Sequence, residues 1–108
     1  MTTLKAEQRT ESAIVADCAE YLRRGGWFVT VHAQDRSVRR QNAGWVDISA
    51  FRYGVTLLVE CKTRTGRRRE AQERFYDSLD PHLGPCLWYV LARDVEALVS
   101  VTAEIARA

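Results

Sequence analysis

Three charged residues stand in two stretches that otherwise read as buried strands. Asp47 follows Trp45-Val46, and Glu60 and Lys62 close the apolar run Val55–Val59 with only Cys61 between them. Two carboxylates near each other in a sheet repel, and each loses hydration unless a cation lies between them. Lys62 alone is too small a counter-charge for both. A hard divalent cation solves the problem, because it takes carboxylate and carbonyl oxygens and keeps several waters. Held by Asp47 and Glu60, with help from the main-chain carbonyl of Cys61, a Mg2+ (or Mn2+) could orient a phosphodiester and its attacking water. Lys62 would stand beside that water, assisting its deprotonation or stabilising the charge of the pentavalent phosphorane.

The elements that must position these groups are legible from hydrophobic period and from turn residues. Thr10 suits the cap of a helix from Glu11 to about Arg23, ended by Gly25-Gly26, with Ile14, Val15, Cys18, Tyr21 and Leu22 on one face. Trp27–His32 alternates and is predicted as a strand, residues 33–43 as a polar loop, and Trp45–Phe51 as a second strand. Arg52-Tyr53-Gly54 is a tight connection to a third strand, Val55–Thr63, which is predicted to pair with the second as an antiparallel hairpin. Successive strand residues point to opposite faces, so Leu58, Glu60 and Lys62 share one face and Val59 and Cys61 the other. Counting from a centre near Arg52-Tyr53 sets Asp47 opposite residue 58 or 59; a bulge or wider turn would move it toward Glu60.

Thr65-Gly66 breaks the chain, and a helix is predicted from Arg68 or Arg69 to Leu79, with Ala71, Phe75 and Leu79 on one side. A loop over residues 80–85 leads to Cys86–Leu91, whose continuous apolar character predicts a strand covered on both faces. Asp94 caps a last helix to about Arg107. The order αβββαβα gives an α/β sandwich: one mixed sheet of four to five strands, flanked by helices, in a single domain over residues 1–108.

Composition bounds the function. The net charge of +2 is modest, but residues 36–74 carry ten cations against four anions, a balance of +6 that leaves −4 elsewhere. A basic middle between acidic ends is a footprint for a polyanion, nucleic acid above all. Arg36, Arg39 and Arg40, with Arg64, Arg67, Arg68 and Arg69, are the candidate phosphate contacts. No run reaches the roughly 18 apolar residues of a membrane span, and the N-terminus has no signal-peptide core. Cys18, Cys61 and Cys86 form no CxxC pair and read as reduced, mostly buried thiols, which implies a cytoplasmic setting. His32 and His82 lack spaced partners and are read as structural or surface residues. Trp45 and Trp88 are read as core, and Tyr53 as a weak candidate for base stacking.

The motif D-x12-E-x-K on a hairpin resembles the PD-(D/E)XK phosphodiesterase superfamily. Gly44-Trp45-Val46-Asp47-Ile48 is similar to its "G-x-P-D-hydrophobic" signature, with Val46 where Pro is usual, and Val59-Glu60-Cys61-Lys62 matches its "hydrophobic-E-x-K" strand. Thr65 to Gln72 looks like the "T-x-G-R-x-S-x-x-Q" continuation of the VRR-NUC branch, with Arg69 in place of Ser. Glu11 matches the N-terminal Glu that this branch and the archaeal Holliday-junction resolvases place beside the metal. Leu83-Gly84-Pro85 before the last strand and Asp94-Val95-Glu96-Ala97 opening the last helix also fit, so the resemblance spans about Glu11 to Ile105.

The resemblance implies a restriction-endonuclease-like αβββαβ core and a Mg2+- or Mn2+-dependent endodeoxyribonuclease. Glu11 and Gln72 would then complete the site of Asp47, Glu60 and Lys62. It further implies a homodimer that cuts branched DNA such as Holliday junctions or flaps. Hydrolysis would be direct, since no Ser, Tyr or His is placed as a nucleophile. A bland alternative makes Glu60 and Lys62 a same-face ion pair on an exposed edge strand. The functional rival is a non-catalytic nucleic-acid-binding module on the same fold, for which the Arg groups would suffice without Asp47, Glu60 and Lys62.

Overall fold

The computed structural model describes residues 9–32 and 44–108. Helix α1 spans Glu11–Arg24; strands β1 (Phe28–Val31), β2 (Ile48–Arg52) and β3 (Val55–Cys61) follow. Helix α2 (Glu70–Leu79) and a 3-10 turn at Asp80–His82 lead to strand β4 (Leu87–Ala92) and helix α3 (Val95–Arg107). The sequence places each helix and strand in this order, with shifts of up to three residues at the ends, and the 3-10 turn falls in the expected loop over residues 80–85. The α/β class and the mixed sheet are as expected, and among the described residues the sheet has four strands.

Local chemistry sets the boundaries. The Thr10 hydroxyl accepts from Ala13 N–H at 3.1 Å, and the Gly25 N–H bonds back to the carbonyls of Tyr21 and Leu22, so α1 begins and ends where its sequence signals lie. Asp94 caps α3 by accepting from Ala97 N–H. The buried face of α1 is Ile14, Val15, Cys18, Ala19 and Leu22. Tyr21, also expected there, sits at its margin and shares a hydrogen bond with Thr102 of α3.

The strand order is β1-β2-β3-β4, with β1–β2 and β2–β3 antiparallel and β3–β4 parallel through the α2 crossover. Helices α1 and α3 cover one face, where Ile48, Ala50, Leu57, Val59, Cys61 and Ala92 join Leu22 and Leu98 in the core. Helix α2 lies over part of the other face, with Phe75 edge-on to Trp45 and Tyr76 against Tyr89.

Two expectations are corrected. Cys86–Leu91 is not sealed on both sides: β4 is an edge strand, Leu87–Leu91 are only half-buried and Cys86 is exposed. An apolar run does not separate an edge strand backed by helices from a central one. Trp88 meets its polar need locally, donating from its indole N–H to the Pro85 carbonyl at 3.0 Å.

The hairpin register is the second correction. Arg52 pairs with Val55, so the turn is the two residues Tyr53-Gly54, with φ of 46° and 79°. Positive φ at both positions is the turn geometry that matches strand twist, and Tyr is an unusual occupant of it. The centre of the hairpin therefore lies after Tyr53, and Ile48 pairs with Val59. One step further on, Asp47 comes level with Glu60.

Candidate active site

The face of β3 turned toward α2 carries Leu58, Glu60 and Lys62. Strand β3 lies between β2 and β4, so these are not residues of an exposed edge. Asp47 is 1% exposed, Glu60 0% and Lys62 4%, which makes them the buried charges of the protein among the described residues. The edge-strand alternative for Glu60 and Lys62 is thereby excluded.

Backbone geometry ties the two carboxylates together. Asp47 N–H donates to Val59 O at 3.0 Å, and Cys61 N–H donates to Asp47 Oδ2 at 2.7 Å. The Asp47 carboxylate is thus anchored on the residue that follows Glu60. His32 N–H donates to Asp47 O at 2.7 Å, which joins the end of β1 to the same point. The Cys61 side chain faces away into the core, where its bond with the Cys18 thiol and then burial push its own thiol up. Its sulfur is a neutral core group, and only its main chain belongs to the site.

Glu60 holds the least satisfied position. Its Oε2 is buried and accepts no hydrogen bond, while Lys62 Nζ stands 4.0 Å away. Burial pushes its carboxyl up to about 7; Lys62 opposes the rise and the charge of Asp47 adds to it. A carboxylate that loses water and gains only a long ion pair and one long hydrogen bond is disfavoured in its charged form unless a further cation arrives. Two carboxylates level across a hairpin, one with a bare oxygen, are an oxygen-only donor set. That set fits Mg2+ or Mn2+, which bind through one or two carboxylates and complete their shells with water and substrate phosphate.

The remaining expected residues are placed as follows. Glu11 lies in the first turn of α1, half-exposed, and its charge reaches Cys61. Among the described residues, no group of three or more His, Cys, Asp or Glu is arranged to hold a metal, so Glu11 does not join Asp47 and Glu60 in a three-donor cluster. Gln72 is the buried residue of α2, and its Oε1 accepts from Arg69 N–H at 2.8 Å, capping the helix. Arg64, Arg67 and Arg69 are exposed at the edge of the site layer. Arg93 holds their loop from beneath, donating to the carbonyls of Thr63, Arg64 and Gly66. Arg36, Arg39 and Arg40 lie outside the described residues.

Gly44 explains how α2 is brought so close. Its φ is 86°, and a Cβ there would lie 2.2 Å from Ala71 O, so the chain entering β2 rests directly on the first turn of α2. Only glycine allows both the backbone angle and the approach.

Tyr89 and His32 are not legible as site residues, and Arg68, expected among the phosphate contacts, has a further contact beside Glu60. Tyr89 on β4 donates its hydroxyl to Glu60 Oε1 at 3.4 Å, and Arg68 Nε donates to the Tyr89 oxygen at 3.1 Å. Burial and then the Glu60 charge push the Tyr89 phenol up to about 12, so it is a proton donor throughout the neutral range. His32, expected to be structural or superficial, has Nε2 2.8 Å from Ser49 Oγ and its ring edge-on to Trp45 beside Asp47. For Tyr89 the alternation of β4, which turns it to the face of Leu58, carried a signal. Compared with known proteins, the chain matches no family model, no curated protein and no solved structure.

Proposed function

We propose that the chain is a Mg2+- or Mn2+-dependent endodeoxyribonuclease that hydrolyses phosphodiester bonds, selective for branched DNA such as Holliday junctions or flaps. We propose with it that α1-β1-β2-β3-α2-β4 is a restriction-endonuclease-like core and that two copies act together on a junction. The observation that carries the reading is the buried trio on the middle of the sheet: Asp47 level with Glu60, Lys62 beside it, and a Glu60 oxygen that accepts no hydrogen bond. Three sealed ionisable groups at the end of a central strand weaken a fold, and such clusters belong mainly to sites of chemistry.

Asp47 and Glu60 would hold the divalent ion. When bound, the ion supplies a Lewis acid that neutralises phosphate charge and favours the hydroxide form of water. Lys62 presents its ammonium at the same place, where it can stabilise negative charge building on the phosphoryl oxygens or take part in moving the proton of the attacking water. Water oxygen forms the new bond to phosphorus as the bond to the departing deoxyribose oxygen breaks, and that oxygen takes up a proton from solvent. No protein nucleophile is required. Arg64, Arg67 and Arg69, exposed where β3 passes into α2, provide sequence-independent contacts to the DNA backbone. Among the described residues no helix is long and apolar enough to cross a membrane.

The test is incubation with labelled four-way junction, flap, single-stranded and linear duplex DNA, with and without Mg2+ or Mn2+. Metal-dependent cleavage of the branched forms is expected; no metal-dependent cleavage of any of them overturns the reading. Asp47→Ala should abolish cleavage, and Lys62→Ala should slow it by about 10²- to 10³-fold while leaving DNA binding near its original level. Retained cutting by Asp47→Ala means that the site is elsewhere.

A further inference from the structure

The carboxylate of Glu60 is asymmetrically held. One oxygen, Oε1, receives the Tyr89 hydroxyl at 3.4 Å; the other, Oε2, is bare and faces Lys62. Tyr89 is itself fixed from two sides. Its ring packs against Tyr76 with centroids 4.8 Å apart, and Arg68 lies over both rings, 4.4 Å from the centroid of Tyr76 and 5.2 Å from that of Tyr89. The Arg68 Nε–H ends on the Tyr89 oxygen, which accepts this bond while its hydroxyl donates to Glu60.

We infer that Tyr89, clamped by Arg68, is a positioning residue that fixes the rotation of the Glu60 carboxylate and so presents Oε2 to the divalent ion. The inference rests on the proposed metal site. It gives Arg68 a different task from its neighbours: Arg67 and Arg69 are exposed and available to DNA, whereas Arg68 is half-buried in the aromatic clamp. A carboxylate with both oxygens free to rotate samples many geometries; one pinned at Oε1 loses less freedom when an ion binds at Oε2. Groups that hydrogen-bond the ligands of a metal in this way change metal affinity by roughly 10- to 100-fold when removed.

Tyr89→Phe removes only the hydroxyl and keeps the ring in its stack. Mn2+ binding, followed by calorimetry and by the electron paramagnetic resonance signal of the free ion, is the direct readout. Tyr89→Phe should weaken Mn2+ binding by about 10-fold or more, with the thermal unfolding profile in EDTA little changed. DNA affinity without metal should be unaltered, and cleavage should recover as Mn2+ is raised. Arg68→Lys, which keeps the charge but not the planar clamp, should lower Mn2+ affinity in the same sense and by less. Arg67→Ala and Arg69→Ala should leave Mn2+ affinity as it was and weaken DNA binding. Equal Mn2+ affinity in Tyr89→Phe and the parent protein overturns the positioning role while leaving the nuclease reading intact. A parent protein that binds Mn2+ in an Asp47-dependent way but cuts no DNA removes the nuclease and keeps the positioning role, provided Tyr89→Phe is weaker. No Mn2+ binding by the parent overturns both.

Discussion

On one face of β3, Leu57, Val59 and Cys61 are sealed beneath α1 and α3; on the other, Leu58, Glu60 and Lys62 look toward α2. Both faces are equally dry at the C-terminal end of the strand. The first face gains free energy from burial, at about 25 cal/mol for each Å² of apolar surface removed from water. The second spends part of that gain on holding an acid whose charged form the site disfavours. The same strand therefore serves two opposed ends, and the two-residue pleat keeps them apart. A core this well satisfied on one side is what permits a poorly satisfied carboxylate on the other.

The contrast between the two faces breaks most severely from the apolar side. Leu57→Ala leaves a cavity under the centre of the sheet and should reduce unfolding free energy by about 2–5 kcal/mol, measured by denaturant titration. An effect below about 1 kcal/mol would show that the sheet does not depend on this face.

The site face should respond with the opposite sign. Glu60 has its folded-state pKa raised to about 7, against about 4.5 in the unfolded chain. Its favourable contribution is full below pH 4.5, where both states are protonated, and is lost as pH rises through 7. In EDTA, the parent protein should lose stability across this window, by an amount on the order of 3 kcal/mol. Glu60→Gln should flatten that loss and be the more stable protein at about pH 8, while being inactive. Identical pH dependence in the two proteins would show that Glu60 is not the strained group.

The smallest effect sharpens the difference between buried and exposed charge. Replacing both Arg67 and Arg69 with Ala should leave stability nearly unchanged, because exposed ions contribute little to it. The slope of log affinity for duplex DNA against log salt should fall by about 0.9 for each phosphate that is no longer neutralised, followed by fluorescence anisotropy. An unaltered slope would place the DNA elsewhere on the surface.

Much of this arrangement is legible in the sequence. Thr10, Gly25 and Asp94 mark helix ends because capping is local chemistry, and the helical periods of α1 and α2 choose the right faces. The three charges in the strands stand out because a sheet normally avoids them. Their register does not, because the turn rests on Tyr53 with φ of 46°, a conformation that residue type does not announce. Tyr89 stays hidden for a different reason. It reaches Glu60 across 29 positions and a crossover, and no short-range pattern encodes such a meeting. Gln72 stands out by resemblance to a motif; its visible bond is to its own helix N-terminus.

The two-residue turn at Tyr53-Gly54 has a consequence for inheritance. Tyr53 is 91% exposed and touches no part of the site, which lies roughly 20 Å away along the hairpin. Loss of its single codon would nevertheless force Arg52 or Val55 into the bend. Asp47 would then come level with Val59 or Cys61, on the wrong side of the pleat from Glu60. Every codon of the site would read correctly, and the protein would be silenced by a deletion at the farthest tip of its hairpin.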